Sequence, residues 1–389
     1  MTYDFDEIID RRNTSSEKWD NLVQVYGRDD IIPMWVADMD FKSPPEVVKV
    51  LEQRARHGIF GYPMLKDEHV EPFINWITEK HNWKLDKEWI IVNSCVVDAL
   101  KTAILAFSKP GDNVVIQPPV YRPFFNIVTS NGRKLLTNPL KFENGRYSID
   151  FEDLEVKLSE KRTKLLMLCS PHNPVGRVWK EDELIRLGEL CLKYDILILS
   201  DEIHSDIVYE NFKHLPISSL SKELQDSTLT FYAPSKTFNL AGLRTSFVVI
   251  PNQKLREEYE TILENISSKN INIFGLLAAT TAYNYGEKWL NELIVYLKEN
   301  IDFTIDFFKH KLPKVKINSP EGTFLLWLDF RRYGNESFVK NVFINKAKVG
   351  LEEGSIFGQE GEGFFRMNIG CPRKILTEAC NNIYIAFKE

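Results

Sequence analysis

The chain is poor in the features that would tie it to a membrane, a metal or a nucleic acid. Cysteine is scarce, with five among 389 residues: Cys95, Cys169, Cys191, Cys371 and Cys380. The count is odd, the spacing is wide and no Cys-x-x-Cys pair occurs. That excludes a disulfide framework and a cysteine zinc site, and leaves reduced, mostly buried thiols of the kind found in the cytoplasm. No uncharged run approaches the roughly 18 residues that a membrane span requires. The amino terminus alternates acidic and apolar residues, without the basic stretch leading into an apolar one that marks a secretory signal. Positive charge is not in excess: Lys and Arg number 49 against 55 Asp and Glu, a net charge of −6, so there is no basic footprint for nucleic acid. Internal repeats and low-complexity linkers are also missing. A small-molecule partner is the reading these absences leave.

What is present is an ordinary globular composition, 43% hydrophobic and 27% charged, in a chain too long for one small core. From about residue 114 to 250, short apolar runs alternate with amphipathic stretches. This is a βαβ rhythm and implies a parallel sheet with both faces covered. The runs at 113–117, 165–169, 196–200, 229–232 and 245–250 read as its strands, with a further short strand at 90–92. Residues 181–193, apolar at Leu184, Leu187, Leu190 and Cys191, read as a helix between them. Ser43-Pro44-Pro45-Glu46 starts a helix, with Ser43 as a possible cap, and His57-Gly58 ends it. Beyond Asn252 the pattern gives two long helices, 254–267 and 287–310, and then strands at 324–329 and 364–369 with helices between and after them. The expected architecture is α/β: an amino-terminal arm (1–45) joining a small α+β domain (286–389), and a large domain (46–285) built on a mostly parallel sheet.

Several polar residues fall at the ends of these strands, where open α/β sheets place their sites. Lys236, in Pro234-Ser235-Lys236-Thr237, follows the run that ends at Tyr232; a lysine there can condense with an aldehyde, and Arg244, eight positions on, can return to hold a phosphate bidentately. The pair suggests pyridoxal phosphate (PLP), although a lone Ser-Lys also suits a solvated surface lysine. Asp201 closes the strand at 196–200. A carboxylate in that position needs a positive partner, which a protonated pyridine nitrogen would supply and which a helix cap or a nearby Lys or Arg would supply equally well. His204 either orients Asp201 or packs as a buried histidine. Asn173, between Pro171 and Pro174, could donate to a phenolic oxygen or simply form a turn. Tyr121 could stack on a flat ring or fill the core. The passage 93–100 runs from strand to helix, and the unpaired first amides of such a helix suit a phosphate.

With Tyr121, Asn173, Asp201, Lys236 and Arg244 all at strand ends of one sheet, the pattern resembles the fold-type I PLP-dependent enzymes of the aspartate aminotransferase superfamily, along nearly the whole chain. Residues 33–41, 170–177, 200–204 and 233–244 are most similar to its MalY/PatB branch of cystathionine β-lyases. The resemblance implies a seven-stranded large sheet and PLP held by Lys236, which also moves the Cα proton. It implies that Asp201 and His204 lie at the ring nitrogen, Asn173 at the ring oxygen and Tyr121 on the ring face. The phosphate would sit on the amides of Val96 and Val97 with Ser235 and Arg244, and Tyr62 would reach in from a second subunit of a homodimer with shared active sites. Arg366 would clamp the α-carboxylate of an amino-acid substrate, and no metal is implied. Ala233 departs from the serine that many aminotransferases carry three residues before the lysine, which weakens a simple aminotransferase reading. The activity implied is carbon–sulfur β-elimination from cystathionine or cysteine S-conjugates. An aminotransferase on the same scaffold and a PLP-binding regulatory protein are the alternatives.

Overall fold

In the computed structural model, which describes residues 2–266 and 271–388, the C-terminal ends of the central strands converge on one cavity. The strands of the large sheet are β1 (Ile90–Asn93), β2 (Asn113–Ile116), β3 (Lys134–Thr137), β4 (Thr163–Cys169), β5 (Leu197–Asp201), β6 (Thr228–Tyr232) and β7 (Ser246–Val249). They lie in the order β1-β7-β6-β5-β4-β2-β3. Every pair from β6 to β3 is parallel, whereas β7 runs antiparallel to both neighbours.

Side chains alternate across the sheet with the two-residue period of a strand. Val114, Ile116, Leu165, Met167 and Leu199 pack on one face, with the helices Val96–Phe107 and Gln253–Asn265. Val115, Leu166, Leu168 and Ile198 pack on the other, with Phe151–Ser159 and Glu181–Lys193. Both faces are therefore apolar, which is why these strands read as continuous hydrophobic runs.

A second sheet is built from β8 (Lys316–Ile317), β9 (Leu325–Asp329), β10 (Glu352–Glu353) and β11 (Phe364–Asn368), all antiparallel, in the order β8-β9-β11-β10. The helices Glu287–Lys311 and Arg373–Lys388 cover it. The amino-terminal segment is not helical over 33–41 and bonds along this sheet. Ile32–Pro33 pairs in parallel with Val349–Gly350, the Asn368 amide donates to Met34 O (2.8 Å) and the Asp40 amide to Gly370 O (2.8 Å). It is anchored by Lys18, fully buried with its Nζ 2.6 Å from Asp40, and by Arg11 bridging Asp38 (2.6 Å) and Asp40 (2.7 Å).

Several elements differ from the sequence expectation. Strand β3 was not anticipated: it is a short, half-buried edge strand without β-branched residues until Thr137, so its pattern is faint. The helix Ile273–Tyr285 was also missed, because it is apolar nearly all round and has no amphipathic stripe to reveal it. The helix expected at 254–267 is observed as Gln253–Asn265, with Ser267 outside the described residues. Ser43 is not a cap. Pro44 occupies that position and the Ser43 hydroxyl donates to Asn239 O instead (3.1 Å).

The missed helix matters to the site because it packs directly on the segment after Lys236. A Cβ placed on Gly275 would lie 2.1 Å from Thr245 Oγ1 and 2.3 Å from Leu243 O, beside Arg244. Gly275→Ala is therefore expected to force the helix away from this segment and destabilise the protein by about 1–3 kcal/mol, an overpacking cost. Thermal unfolding measures it; an unchanged melting temperature would show that the contact relaxes freely.

Candidate active site

Strand β5 delivers Asp201 to the cavity. The strand is buried along its length, and its last residue keeps its ladder bond through Ser170 N–H donating to Asp201 O (2.9 Å). The Asp201 carboxylate accepts from the Ile203 amide (3.2 Å) and makes no ion pair among the described residues. Burial without a bonded cation pushes its pKa up to about 7, against the smaller pull of the Ile203 amide and Lys236. His204, three residues on, is buried against Phe324, and its Nδ1 has no hydrogen-bond partner among the described residues. Burial, with Lys236 and Arg366 adding to it, lowers the His204 pKa to about 3, so the ring is neutral. No hydrogen bond joins it to Asp201 among the described residues.

Strand β6 ends at Tyr232, and Pro234 opens a single helical turn, Pro234–Thr237, that presents Lys236. The turn is held from behind: Thr237 Oγ1 donates to Asp206 (2.7 Å), which also accepts from Trp76 Nε1 (2.9 Å). Asn239 ties the same segment to the arm, accepting from the Met39 amide (3.0 Å) and donating to Met39 O and Phe41 O (both 2.8 Å). The arm thus brings Ala37 O to within 2.6 Å of Lys236 Nζ, the donor. Burial first, then the neighbouring Arg366, lowers the lysine's pKa to about 8.

These groups share a cavity of about 300 Å³. Of the residues expected at the site, Val96, Val97, Tyr121, Asn173, Asp201, His204, Ser235, Lys236, Arg244 and Arg366 all line it, and Tyr62 does not. Tyr62 is fully exposed, in the segment between the helices Pro45–His57 and Asp67–His81. Val96 begins its helix with no side-chain bond from the capping position, Cys95, so the first amides are free of a side-chain acceptor there. Arg244 reaches the same place, with Nη2 2.7 Å from Asp98. Asn173 accepts through Oδ1 from Arg366 Nη1 (3.0 Å), which leaves its amide nitrogen to donate. Tyr121 is held neutral, its pKa raised to about 12 by burial and by Asp201. Arg366 is buried; beyond Asn173 it donates through Nη2 to Trp35 O (2.9 Å) and pairs with Glu352, while Nε has no partner among the described residues.

Two lining or flanking acids escaped the sequence reading: Glu352 beside Arg366, and Asp98 beside Arg244. Glu352 lies directly opposite Arg366 in the β10–β11 register, a pairing visible only once the strands are matched. Asp98 sits within the first turn of a helix already picked out, and an acid there is a common dipole partner. A wider groove of about 650 Å³ lies at the opposite, N-terminal end of the large sheet, near Lys109, Lys164 and Asp226, away from every group described above.

The residues present fit PLP. A buried acid with no cation of its own, a lysine amine in the same cavity, an aromatic ring, and an anion cradle of helix amides, Ser235 and Arg244 are what a cationic ring bearing an aldehyde and a phosphate requires. The acid comes at a cost to the protein alone. Its folded pKa of about 7 lies above its ordinary value of 3.8, so the stability it contributes is present below about pH 4 and is lost as pH rises through 7. Asn does not titrate. Asp201→Asn should therefore make the cofactor-free protein more stable at pH 8, by up to about 4 kcal/mol, with a smaller gain at pH 5. Urea unfolding at the two pH values tests this, and equal gains at both would show that the carboxyl is not strained by burial.

Comparison with known proteins agrees with the geometry. The aminotransferase class I and II family model matches residues 29–383. Cystathionine β-lyase PatB of Bacillus subtilis (strain 168) is 43% identical over 383 residues, 98% of this chain and 99% of the relative. Protein MalY of Escherichia coli (strain K12) is 31% identical, covering 99% of each. Among solved structures, cystalysin from Treponema denticola, which contains a pyridoxal 5'-phosphate cofactor, superposes with a TM-score of 0.97 at 37% identity over 100% of this chain and 99% of that one. With a family model matched over most of its length and relatives this similar from end to end, the chain belongs to the class I and II aminotransferase family, in the branch that includes PatB and MalY.

Proposed function

We propose that this protein is a PLP-dependent carbon–sulfur β-lyase, cleaving cystathionine or related cysteine S-conjugates to a thiol, pyruvate and ammonia. The observation that carries the reading is the meeting of Lys236, Asp201 and Arg366 in one cavity, in a chain whose relatives include cystathionine β-lyases along their whole length.

PLP supplies the electron sink that makes negative charge at the substrate Cα tolerable. The chain's residues do the rest. Lys236, with its pKa lowered to about 8, is near the balance point for accepting a proton from Cα and giving it up again near neutral pH. Asp201 would keep the ring nitrogen protonated, Asn173 would donate to the ring oxygen and Tyr121 would pack on the ring. Val96, Val97, Ser235 and Arg244 would hold the phosphate, and His204 is a neutral ring packed against Phe324. Arg366 orients the substrate by its α-carboxylate, so that the bond from Cβ to sulfur can align for departure.

The chain boundaries follow the same reading: an arm (1–45), a large cofactor-binding domain (46–285) and a small domain (286–389), with Gly286 between the helices Ile273–Tyr285 and Glu287–Lys311 as the second joint. The free state of all five cysteines supports a reducing, cytoplasmic setting. No helix among the described residues is long and apolar enough to cross a membrane.

A homodimer is supported by the exposed apolar run around Tyr62. Ile59, Phe60, Tyr62 and Met64 all stand in solvent, the sort of patch that marks a protein interface. Tyr62 in this arrangement completes the partner's phosphate site.

Two experiments test the function and the assembly. With cystathionine as sole substrate, pyruvate and free thiol should accumulate without an added keto acid, and borohydride should fix the cofactor to Lys236, as read by peptide mass. Product that appears only with a keto-acid acceptor would make the protein an aminotransferase. For the shared site, mixing Tyr62→Ala with Lys236→Ala protein should restore roughly a quarter of wild-type activity through mixed dimers. Activity no higher than the average of the two variants would remove Tyr62 from the neighbour's site.

A further inference from the structure

Lys236 stands among charges and, within the described residues, bonds to none of them. The charged and titratable groups that act on its amine are Arg366 and Glu352 from the second sheet, Asp38 from the arm, and Asp201 and His204 at the end of β5. Its one hydrogen-bond partner among the described residues is neutral, the backbone carbonyl of Ala37 at 2.6 Å. Asp38, the next residue, turns its carboxylate to Arg11 instead (2.6 Å). The distinction matters for a base. A carboxylate bonded to the lysine would favour the ammonium strongly and hold its proton, whereas a carbonyl orients the amine and leaves the proton easier to release. One N–H fixed on Ala37 O also fixes the rotation about Cε–Nζ. In the neutral amine the lone pair is then confined to one of the two remaining tetrahedral positions.

What aims that carbonyl is Asn368. The arm bends at Val36-Ala37, and the carbonyls on either side of Ala37 converge on one nitrogen: Asn368 Nδ2 donates to Val36 O and to Asp38 O, each at 2.6 Å. With both neighbours held, the carbonyl between them is the one that reaches Lys236. Asn368 has no freedom to follow a shifted arm. It is fully buried, its Oδ1 accepts from the Gly370 amide (2.8 Å), and its own amide donates to Met34 O (2.8 Å). It lies two residues past Arg366 on β11, so both side chains leave the same face of the strand, and Arg366 takes Trp35 O. One strand therefore holds the carbonyls of residues 34, 35, 36 and 38 and leaves that of Ala37 to the lysine.

We propose that Asn368 is a positioning residue for Lys236: by clamping the carbonyls of Val36 and Asp38 it aims Ala37 O at the lysine and so sets the direction of the free amine. The lysine's task as base at Cα comes from the β-lyase reading; the aim of the carbonyl rests on the hydrogen bonds alone.

Two titrations and one kinetic comparison test it. In full-length protein stripped of cofactor, the pH dependence of Lys236 acetylation, read by peptide mass, gives the lysine's pKa in wild type and N368A. Losing the acceptor deprives the ammonium of a charge-assisted bond, so the value, about 8 in the intact site, should fall by about one pH unit or more. A role confined to docking the arm acts the other way, because a loosened arm admits water and relieves the burial of the amine. An unchanged or raised pKa overturns the proposal. N368S, which keeps a single donor, should move the pKa in the same direction by less, and stands in where N368A does not fold. Ala37-Asp38 is the one Ala-Asp step in the chain, so isotope labels in alanine carbonyls and aspartate amides isolate the Ala37 carbonyl by NMR. In wild type its shift should follow the Lys236 titration, and in K236A that response should vanish. A wild-type carbonyl that stays flat through the lysine's titration overturns the proposal whether or not any Asn368 variant folds. In the cofactor-loaded protein acting on cystathionine, N368A should lower kcat at least about tenfold with KM within about threefold, and α-deuterated substrate should show a larger isotope effect than in wild type. If both titrations come out as stated but no conjugate is cleaved, the lyase reading fails and the role of Asn368 stands. If conjugates are cleaved and the lysine's pKa is the same in N368A, the role of Asn368 is overturned and the lyase reading stands.

Discussion

A carboxyl group taken out of water with no cation to meet it is the constraint on which this structure turns. Asp201 ends a strand buried on both faces, and among the described residues its carboxylate has one bonded donor, a backbone amide. An unpaired charge in such a place costs several kcal/mol, so the group is driven toward its neutral form, its pKa pushed up to about 7. Natural cores avoid this arrangement unless a ligand makes it useful. On the proposed function the cofactor's ring nitrogen would be that ligand, and the surrounding elements bring the other candidate anchors to the same cavity. Strand β6 brings Lys236, the helix at Val96 brings its free amides, and the arm closes the side through Ala37 O.

The two arginines of the cavity follow the opposite rule. Each is given an anion by the chain itself, Arg244 by Asp98 and Arg366 by Glu352. Their surroundings differ. Arg244 and Asp98 are partly exposed, so their attraction is screened and, on the proposed function, a dianionic phosphate would compete for the arginine. Arg366 is 4% exposed and fixed on three sides, and its pairing with Glu352 is correspondingly stiff. The same pairing chemistry therefore gives a solvent-screened pair at one end of the cavity and a buried, sheet-held one at the other.

Holding these groups at fixed separations is the work of the arm. Lys18 is wholly buried against Asp40, and Arg11 spans Asp38 and Asp40; removing one member of such a buried set leaves a stranded charge, typically at about 3–5 kcal/mol. That network orders the segment whose carbonyls meet Lys236 at Ala37 and Arg366 at Trp35. Asn239, three residues past the lysine, locks the same segment to the large sheet. Arm, large sheet and small sheet meet at the cavity through hydrogen bonds with little freedom to slide.

Much of this was legible in the residues. Short continuous apolar runs located six of the seven strands of the large sheet, because burial on both faces leaves a hydrophobic signature along the whole strand. Polar residues just past those runs, Asp201, Lys236 and Asn173, stood out because a strand end in an α/β sheet is where a polar group can face a ligand. The edge strand β3 and the all-apolar helix Ile273–Tyr285 were not legible, since neither has a burial pattern with a period of its own. The reversed direction of β7 was not either. Sequence by itself determined which residues are chemically equipped for the site and at which strand ends they lie. Tertiary structure alone decided which charges face each other. Glu352 meets Arg366 because two strands separated by a loop align in one register, and Ala37 meets Lys236 because an arm 199 residues away folds across it; contacts set by register and docking have no periodicity to read along a chain.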